Sequence, residues 1–549
     1  MFKQRNDRST LQLLARLMSL RNIISMLVVA TFTATCQASA AAQATCESLT
    51  SLELSHTTIT TARSIPAGTY TAPNGEIFTN IPAFCRVAAR LTPADASEIE
   101  IEVWMPASAW NGRFEGVGNG GFAGAIPYSA MAPGVSLGYA TAGTDTGHTG
   151  SSTDDGSFAL GHPEKIIDFG YRAIHWMTMI GEQITSAFYG EDARFSYFDG
   201  CSTGGRQALM EAQRFPNDYD GIVAGDPVAY YTHHHVGANL WVVRQMFDDP
   251  RNTVFTTQDT LLGNAVNAAC DALDGVVDGV LNNPRRCHFD PGVLLCTTGQ
   301  TPPNCLTADQ VEAVRQLWNG PDEVVDQRGY YPAFERGGEA DGWPSTISPA
   351  PPPAPETDDH ARVGLPFFKY FVFDDAKWDF RTFDWIAGPA YVENKLVVPG
   401  QTLASVLNSI DPDLDRFRAH GGKLIQYHGF SDPEVPPLTS INYFDSVVHR
   451  LDESKQKGLE RTQDFYRLFM VPGMNHCKGG PGANVFDMLT PLVHWVEQGL
   501  APDRVLATHY VGNSPHRGIA FTRPLCSYPQ EATYKGSGST NDAANFGCE

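Results

Sequence analysis

The sequence predicts an α/β fold: a mainly parallel sheet interrupted by one large insertion. Strand-like and helix-like stretches alternate through residues 99–212, the pattern of a parallel sheet. The strand pattern returns at 423–428 and at 465–471, so the sheet resumes late in the chain. Between these parts, residues 228–419 hold four cysteines and the run Pro349-Ala350-Pro351-Pro352-Pro353-Ala354-Pro355. That run reads as an exposed polyproline-like loop.

In chain order, the first element is a leader. Lys3, Arg5, Arg8, Arg16 and Arg21 precede an apolar run from about Ile23 to Ala34, and Ala38-Ser39-Ala40 offers a small-x-small cleavage site. Residues 1–40 therefore read as a secretory signal peptide, the apolar run being shorter than the ~20 residues a span needs. The core follows in two parts, 41–227 and 420–549, around the insertion at 228–419. Ile99 to Met105 alternates like a half-buried strand, Arg113 to Val117 runs into a glycine-rich loop, and Gly138 to Ala142 forms a third strand. Helical spacing covers 163–188, with Pro163 near its start, and Phe195 to Phe198 is a short strand.

Composition excludes several classes. With 42% hydrophobic and 11% aromatic residues, disorder is excluded as the main state of the 549-residue chain. Without residues 1–40 it carries 34 basic against 60 acidic residues, a net −26. An acidic chain does not suit nucleic acid or an anionic membrane surface. The eleven cysteines become ten when Cys36 leaves with the leader, an even count that suits disulfides in an exported, extracellular or periplasmic protein. The oligomeric state has no signature in the sequence.

Gly200-Cys201-Ser202-Thr203-Gly204 satisfies G-x-S-x-G between a strand and the helix candidate Arg206 to Ala212. That context makes Ser202 a candidate nucleophile on a sharp strand-to-helix turn. A serine needs a base and an orienting acid, which in such sheets follow it in the order acid, then histidine. Asp432 follows the strand that ends at His428, and His476 follows the next strand, so both lie in loops where such sheets place active sites. His476 would take the proton of Ser202 and Asp432 would hold its tautomer. Asp145 and His148 precede the serine and stand in the wrong order. Cys201 adjoins Ser202 and Cys477 adjoins His476, so contact between serine and histidine predicts a Cys201–Cys477 disulfide. The consecutive His233-His234-His235 point in different directions and read as structural rather than chelating.

On these residues the sequence resembles the tannase and feruloyl esterase family, whose pattern couples Cys-Ser, Asp and His-Cys in this order. Gly221-Ile222-Val223-Ala224-Gly225-Asp226-Pro227 and Tyr427-His428-Gly429 extend the match. The resemblance implies an α/β-hydrolase core with a large inserted lid domain, and hydrolysis of carboxylic esters of aromatic acids. A feruloyl esterase, a tannase acting on galloyl esters and a terephthalate monoester hydrolase are the candidates. A calcium-stabilised binding protein without catalysis is the reading from another class. The oxyanion hole is expected at the N–H of Thr203 and at Gly120 or Gly121 in the glycine-rich loop.

Asp271, Asp274 and Asp278, with glycines between them, suit an oxygen-loving Ca²⁺. The resemblance adds the carbonyls of Val276 and Val280 as ligands and makes the ion structural. It also implies the pairings Cys46–Cys85, Cys270–Cys287, Cys296–Cys305 and Cys526–Cys548. The substrate is expected to be a small aromatic ester, recognised by the insertion. Its most aromatic stretch is Phe367 to Phe373 with Trp378 and Phe380, and Lys369 could meet a substrate carboxylate if it faces the pocket.

Overall fold

The computed structural model describes residues 44–150 and 153–549; the leader read at 1–40, with Cys36, lies outside the described residues. Nine strands make one sheet. In chain order they are β1 (Thr57–Ile65), β2 (Phe84–Leu91), β3 (Ile99–Pro106), β4 (Arg113–Val117), β5 (Ala140–Thr144), β6 (Phe195–Cys201), β7 (Gly221–Gly225), β8 (Lys423–Gly429) and β9 (Tyr466–Val471). Across the sheet they run β1-β2-β3-β5-β4-β6-β7-β8-β9. The edge β1-β2-β3 is antiparallel and meets β5 antiparallel. From β5 to β9 every neighbouring pair is parallel.

The alternation in β3 does not mark a half-buried strand. Every residue of β3 except the partly buried Glu100 is buried. Glu102 tolerates this because Arg86, on the neighbouring strand β2, pairs with it, and Trp104 Nε1 and Tyr128 Oη donate to it at 2.8 and 2.9 Å. A buried charge survives where such partners replace water. The strand expected at 138–142 begins instead at Ala140. A helix over Tyr128–Ser136 ends just before it, and Gly138 takes the left-handed conformation (φ +87°) that turns the chain.

The helical stretch expected at 163–188 runs from Pro163 to Tyr189, with a π-helical turn at Asp168–Arg172 leading into α1 (Ala173–Tyr189). Within that turn the buried Asp168 accepts from Ser97 Oγ and pairs with Arg172. Helices α2 (Thr203–Arg214), α3 (Leu438–Leu451) and α4 (Leu489–Gln498) complete the layers over the sheet. Apolar clusters lie on its faces, one around Phe114, Ile174 and Leu424, the other around Tyr197, Ile425 and Leu492.

Between Gly225 and Lys423 no residue joins this sheet. That segment builds its own core around Trp241, Leu317, Phe367 and Phe371, and draws in Phe122 and Phe169 from the earlier chain. Arg206 of α2, wholly buried, fastens the two together: its guanidinium donates to the carbonyls of Gly170 (2.7 Å), Phe169 (2.9 Å) and Leu407 (3.4 Å). The proline run is exposed over 350–353, as its composition predicts. Five disulfides join Cys46–Cys85, Cys201–Cys477, Cys270–Cys287, Cys296–Cys305 and Cys526–Cys548. Among the described residues, no helix is long and apolar enough to cross a membrane.

Candidate active site

The site forms where β6, β8 and β9 end. Ser202 sits between β6 and α2 with φ 64° and ψ −121°, a conformation that side-chain-bearing residues rarely adopt. It is held there by its own backbone: Ser202 N donates to Gly225 O at 2.9 Å, and Arg206 N donates to Ser202 O at 3.1 Å. The glycines of the motif are needed for close approach. A Cβ on Gly204 would lie 3.2 Å from the Cα of Gly118, one on Gly118 would meet the Cα of Gly204 at 2.6 Å, and one on Gly205 would strike the Gly225 carbonyl. Backbones thus replace side chains where the glycine-rich loop, the elbow and β7 converge.

His476 and Asp432 meet as the sequence order predicts. His476 Nδ1 is 2.7 Å from Asp432 Oδ2, and the Asp432 side chain is fully buried. Asp432 Oδ1 accepts the N–H groups of Glu434 (2.8 Å) and Val435 (2.9 Å). His428 Nε2 approaches Asp432 Oδ2 at 3.2 Å from the other side. Burial works against the charge on Asp432, but His476 and His428 outweigh it and carry its pKa below the usual carboxylate range. Burial likewise disfavours the His476 imidazolium. The carboxylates of Asp432, Glu434 and Asp226 prevail, so its pKa is raised. This is the electrostatics of a histidine built to accept a proton.

Ser202 and His476 are brought together through their neighbours, not through a direct hydrogen bond. The Cys201–Cys477 disulfide links them with Cα atoms 6.0 Å apart across 276 positions of sequence. His476 Nε2 is buried and has no hydrogen-bond partner among the described residues. The nitrogen that would receive the serine proton is therefore free of hydrogen bonds among the described residues.

The oxyanion candidates flank the serine. Thr203 Oγ1 donates to Gly121 O at 2.7 Å, tying the elbow to the glycine-rich loop. Among the described residues, the N–H groups of Thr203, Gly120 and Gly121 donate to no acceptor, and Gly120 is exposed. These are the properties needed in donors kept for a substrate oxygen.

Three residues to which the sequence assigned no role shape the site. Asp226, wholly buried, accepts Gly429 N at 2.7 Å and Cys477 N at 3.2 Å, joining β7 to both the acid and histidine loops. His428 is fixed by Ser440 Oγ (2.6 Å) and Val435 O (2.9 Å) before it meets Asp432. Asp226 and His428 stood in sequence motifs, but no local pattern assigns them a partner. Glu434 places Oε2 at 3.5 Å from His476 Nε2, and nothing in its sequence setting signals that.

The remaining candidates separate. Asp145 accepts the N–H groups of Glu100 and Gly147, whereas His148 stacks on Phe158, so they form no acid–base pair. His233 pairs with Glu393, His234 with Tyr331 and His235 with Asn239, three directions that hold the insertion together. Phe367, Phe368 and Phe371 are buried in the core of the insertion. Lys369 makes no ion pair among the described residues.

In the acidic loop, Asp271 accepts the N–H groups of Asp278 and Gly279, and Asp274 those of Val276 and Asn282. Asp278 accepts Val280 N and pairs with Arg523 at 2.5 Å. The three carboxylates are not gathered into one cluster. Their donor type still fits a hard cation, all oxygen with the Val276 and Val280 carbonyls free of protein donors among the described residues. Burial first, then the charges of Asp278 and Asp271, raise the pKa of Asp274, a repulsion that a bound cation would relieve.

The model of the "Tannase and feruloyl esterase" family matches residues 85–549. An uncharacterised esterase of Xanthomonas campestris pv. campestris is 41% identical, covering 93% of this chain and 92% of its own. Feruloyl esterase C of Talaromyces stipitatus is 33% identical over 84% of this chain and 85% of its own. The crystal structure of feruloyl esterase B from Aspergillus oryzae superposes with a TM-score of 0.78 at 29% identity, covering 92% of this chain and 99% of that one.

Proposed function

The chain belongs to the tannase and feruloyl esterase family, and from that premise we propose that it is a serine carboxylic ester hydrolase acting on esters of hydroxycinnamic and related aromatic acids. The observation that carries the reading is the buried Asp432–His476 pair, tethered by a disulfide to a serine in a strained turn. The relatives named feruloyl esterases favour that acyl group over a galloyl one.

In this mechanism Ser202 Oγ attacks the ester carbonyl while His476 Nε2 takes its proton. Asp432 keeps the proton of His476 on Nδ1 and stabilises the imidazolium. The oxyanion lies against the N–H of Thr203 and that of Gly120 or Gly121. His476 then protonates the departing alcohol, leaving an acyl-Ser202 ester. Water, deprotonated by the same histidine, releases the aromatic acid and regenerates the serine. Side-by-side kcat/KM on methyl ferulate, methyl gallate and monomethyl terephthalate tests the acyl preference. The expected order places methyl ferulate first. A preference for the gallate or the terephthalate would reassign the enzyme to that substrate.

The acidic loop would hold a structural Ca²⁺ through Asp271, Asp274 and Asp278 and the carbonyls of Val276 and Val280. Asp278 would then have to share its carboxylate between the ion and Arg523. Excess chelator is expected to lower the melting temperature by several degrees, and added calcium to restore it. A melting temperature that responds to neither would remove the ion from the account. Five disulfides and the basic, apolar leader together support export to an oxidising compartment.

A further inference from the structure

Glu434 stands nearer the reacting nitrogen than any carboxylate needs to for holding the triad. Its N–H is fixed on Asp432 Oδ1, so its side chain departs from the triad itself. Its Oε2 comes within 3.5 Å of His476 Nε2, on the opposite end of the ring from Asp432. The Asp432 side chain is 0% exposed and that of His476 11%, while that of Glu434 is 44% exposed. Glu434 therefore leads from the buried pair out to solvent. The separation is too long for a close ion pair, and Nε2 is left without a hydrogen bond.

Apart from His476, the charges that bear most on Glu434 are carboxylates. Asp154 and Asp359 add to the negative field at Glu434. Arg362 pairs with both, at 2.5 and 2.8 Å. In an ester cleaved by Ser202, Nε2 hands its proton to the departing alcohol. A group beside Nε2 thus faces the alcohol half of the substrate rather than the aromatic acid.

We propose that Glu434 is a specificity-determining residue that reads the alcohol half of the ester by charge. It favours esters of neutral alcohols and disfavours those whose alcohol carries a carboxylate of its own. The inference rests on the esterase reading above and adds to it a charge preference for the departing alcohol.

Two synthetic feruloyl esters of similar size test it, ethyl ferulate and carboxymethyl ferulate. The wild-type kcat/KM ratio, charged over neutral, is expected to lie below one and to rise with ionic strength. Glu434→Gln is expected to raise that ratio about tenfold, the effect of removing one charge a few ångströms from another in a partly wet site. A ratio that stays the same in Glu434→Gln and is flat with salt in the wild type, with ethyl ferulate still cleaved, overturns the role of Glu434 and leaves the esterase reading intact. Failure of the wild type to cleave either ester overturns both. The salt series needs no variant, so a folding defect in Glu434→Gln would not shield the proposal.

Discussion

Ser202→Ala is expected to lower kcat on methyl ferulate by at least ~10⁴-fold, because losing the nucleophile of such a set removes nearly all of the chemistry beyond binding and oxyanion contacts. The protein itself should be little disturbed. The main-chain bonds that hold the turn, Ser202 N to Gly225 O and Arg206 N to Ser202 O, involve no side-chain atom. Alanine keeps the Cβ and accepts the same strained φ of 64° at similar cost. A melting temperature close to wild type, together with lost turnover, would tie the loss to the hydroxyl. Turnover persisting at the wild-type rate would refute Ser202 as nucleophile, and with it the roles of His476 and Asp432.

The parts of this site that could be read in the sequence are those whose physics is local. A nucleophile on a strand-to-helix turn demands small neighbours, and Gly200, Gly204 and Gly205 record that demand within a few positions. Chain order then places Asp432 and His476, because consecutive parallel strands open their loops at one end of the sheet. The fold was legible from the alternation of strand-like and helix-like stretches, since each parallel crossover needs a connecting helix. Where the reading failed, the cause was a contact between distant residues. Ile99 to Met105 alternates, yet Arg86 on the adjacent strand lets Glu102 lie in the interior. Asp226 earns its place only when Gly429 and Cys477 fold onto it, 203 and 251 positions away. Glu434 has no sequence signature, since its importance comes from the side of the imidazole it meets.

Removing the Cys201–Cys477 bond is expected to affect both stability and catalysis, and the two can be separated by a second disulfide. In the chain-entropy view, a bridge closing 276 positions stabilises by up to about 5 kcal/mol, and one closing the 22 positions of Cys526–Cys548 by about 3 kcal/mol. Both double alanine variants should therefore melt well below the wild type. Their activities should part. The C-terminal bridge ties the short strand Phe546–Cys548 to the strand Ile519–Cys526, and among the described residues its two cysteines make no hydrogen bond to the loops that carry Ser202, Asp432 or His476. Its loss should leave kcat on methyl ferulate within about twofold at a temperature where the variant is folded. The Cys201–Cys477 bridge is the one covalent link between the serine turn and the histidine loop. Without it, His476 is still held to Asp432, and Cys477 N to Asp226, but no covalent link joins the histidine loop to the serine turn. A misplacement of about 1 Å at a reacting centre costs on the order of 10²-fold, so kcat should fall by about that factor under conditions where the protein remains folded. Equal activity of the two variants at matched folded fractions would reduce the active-site disulfide to a staple and return the positioning of His476 to the hydrogen bonds of Asp226 and Asp432.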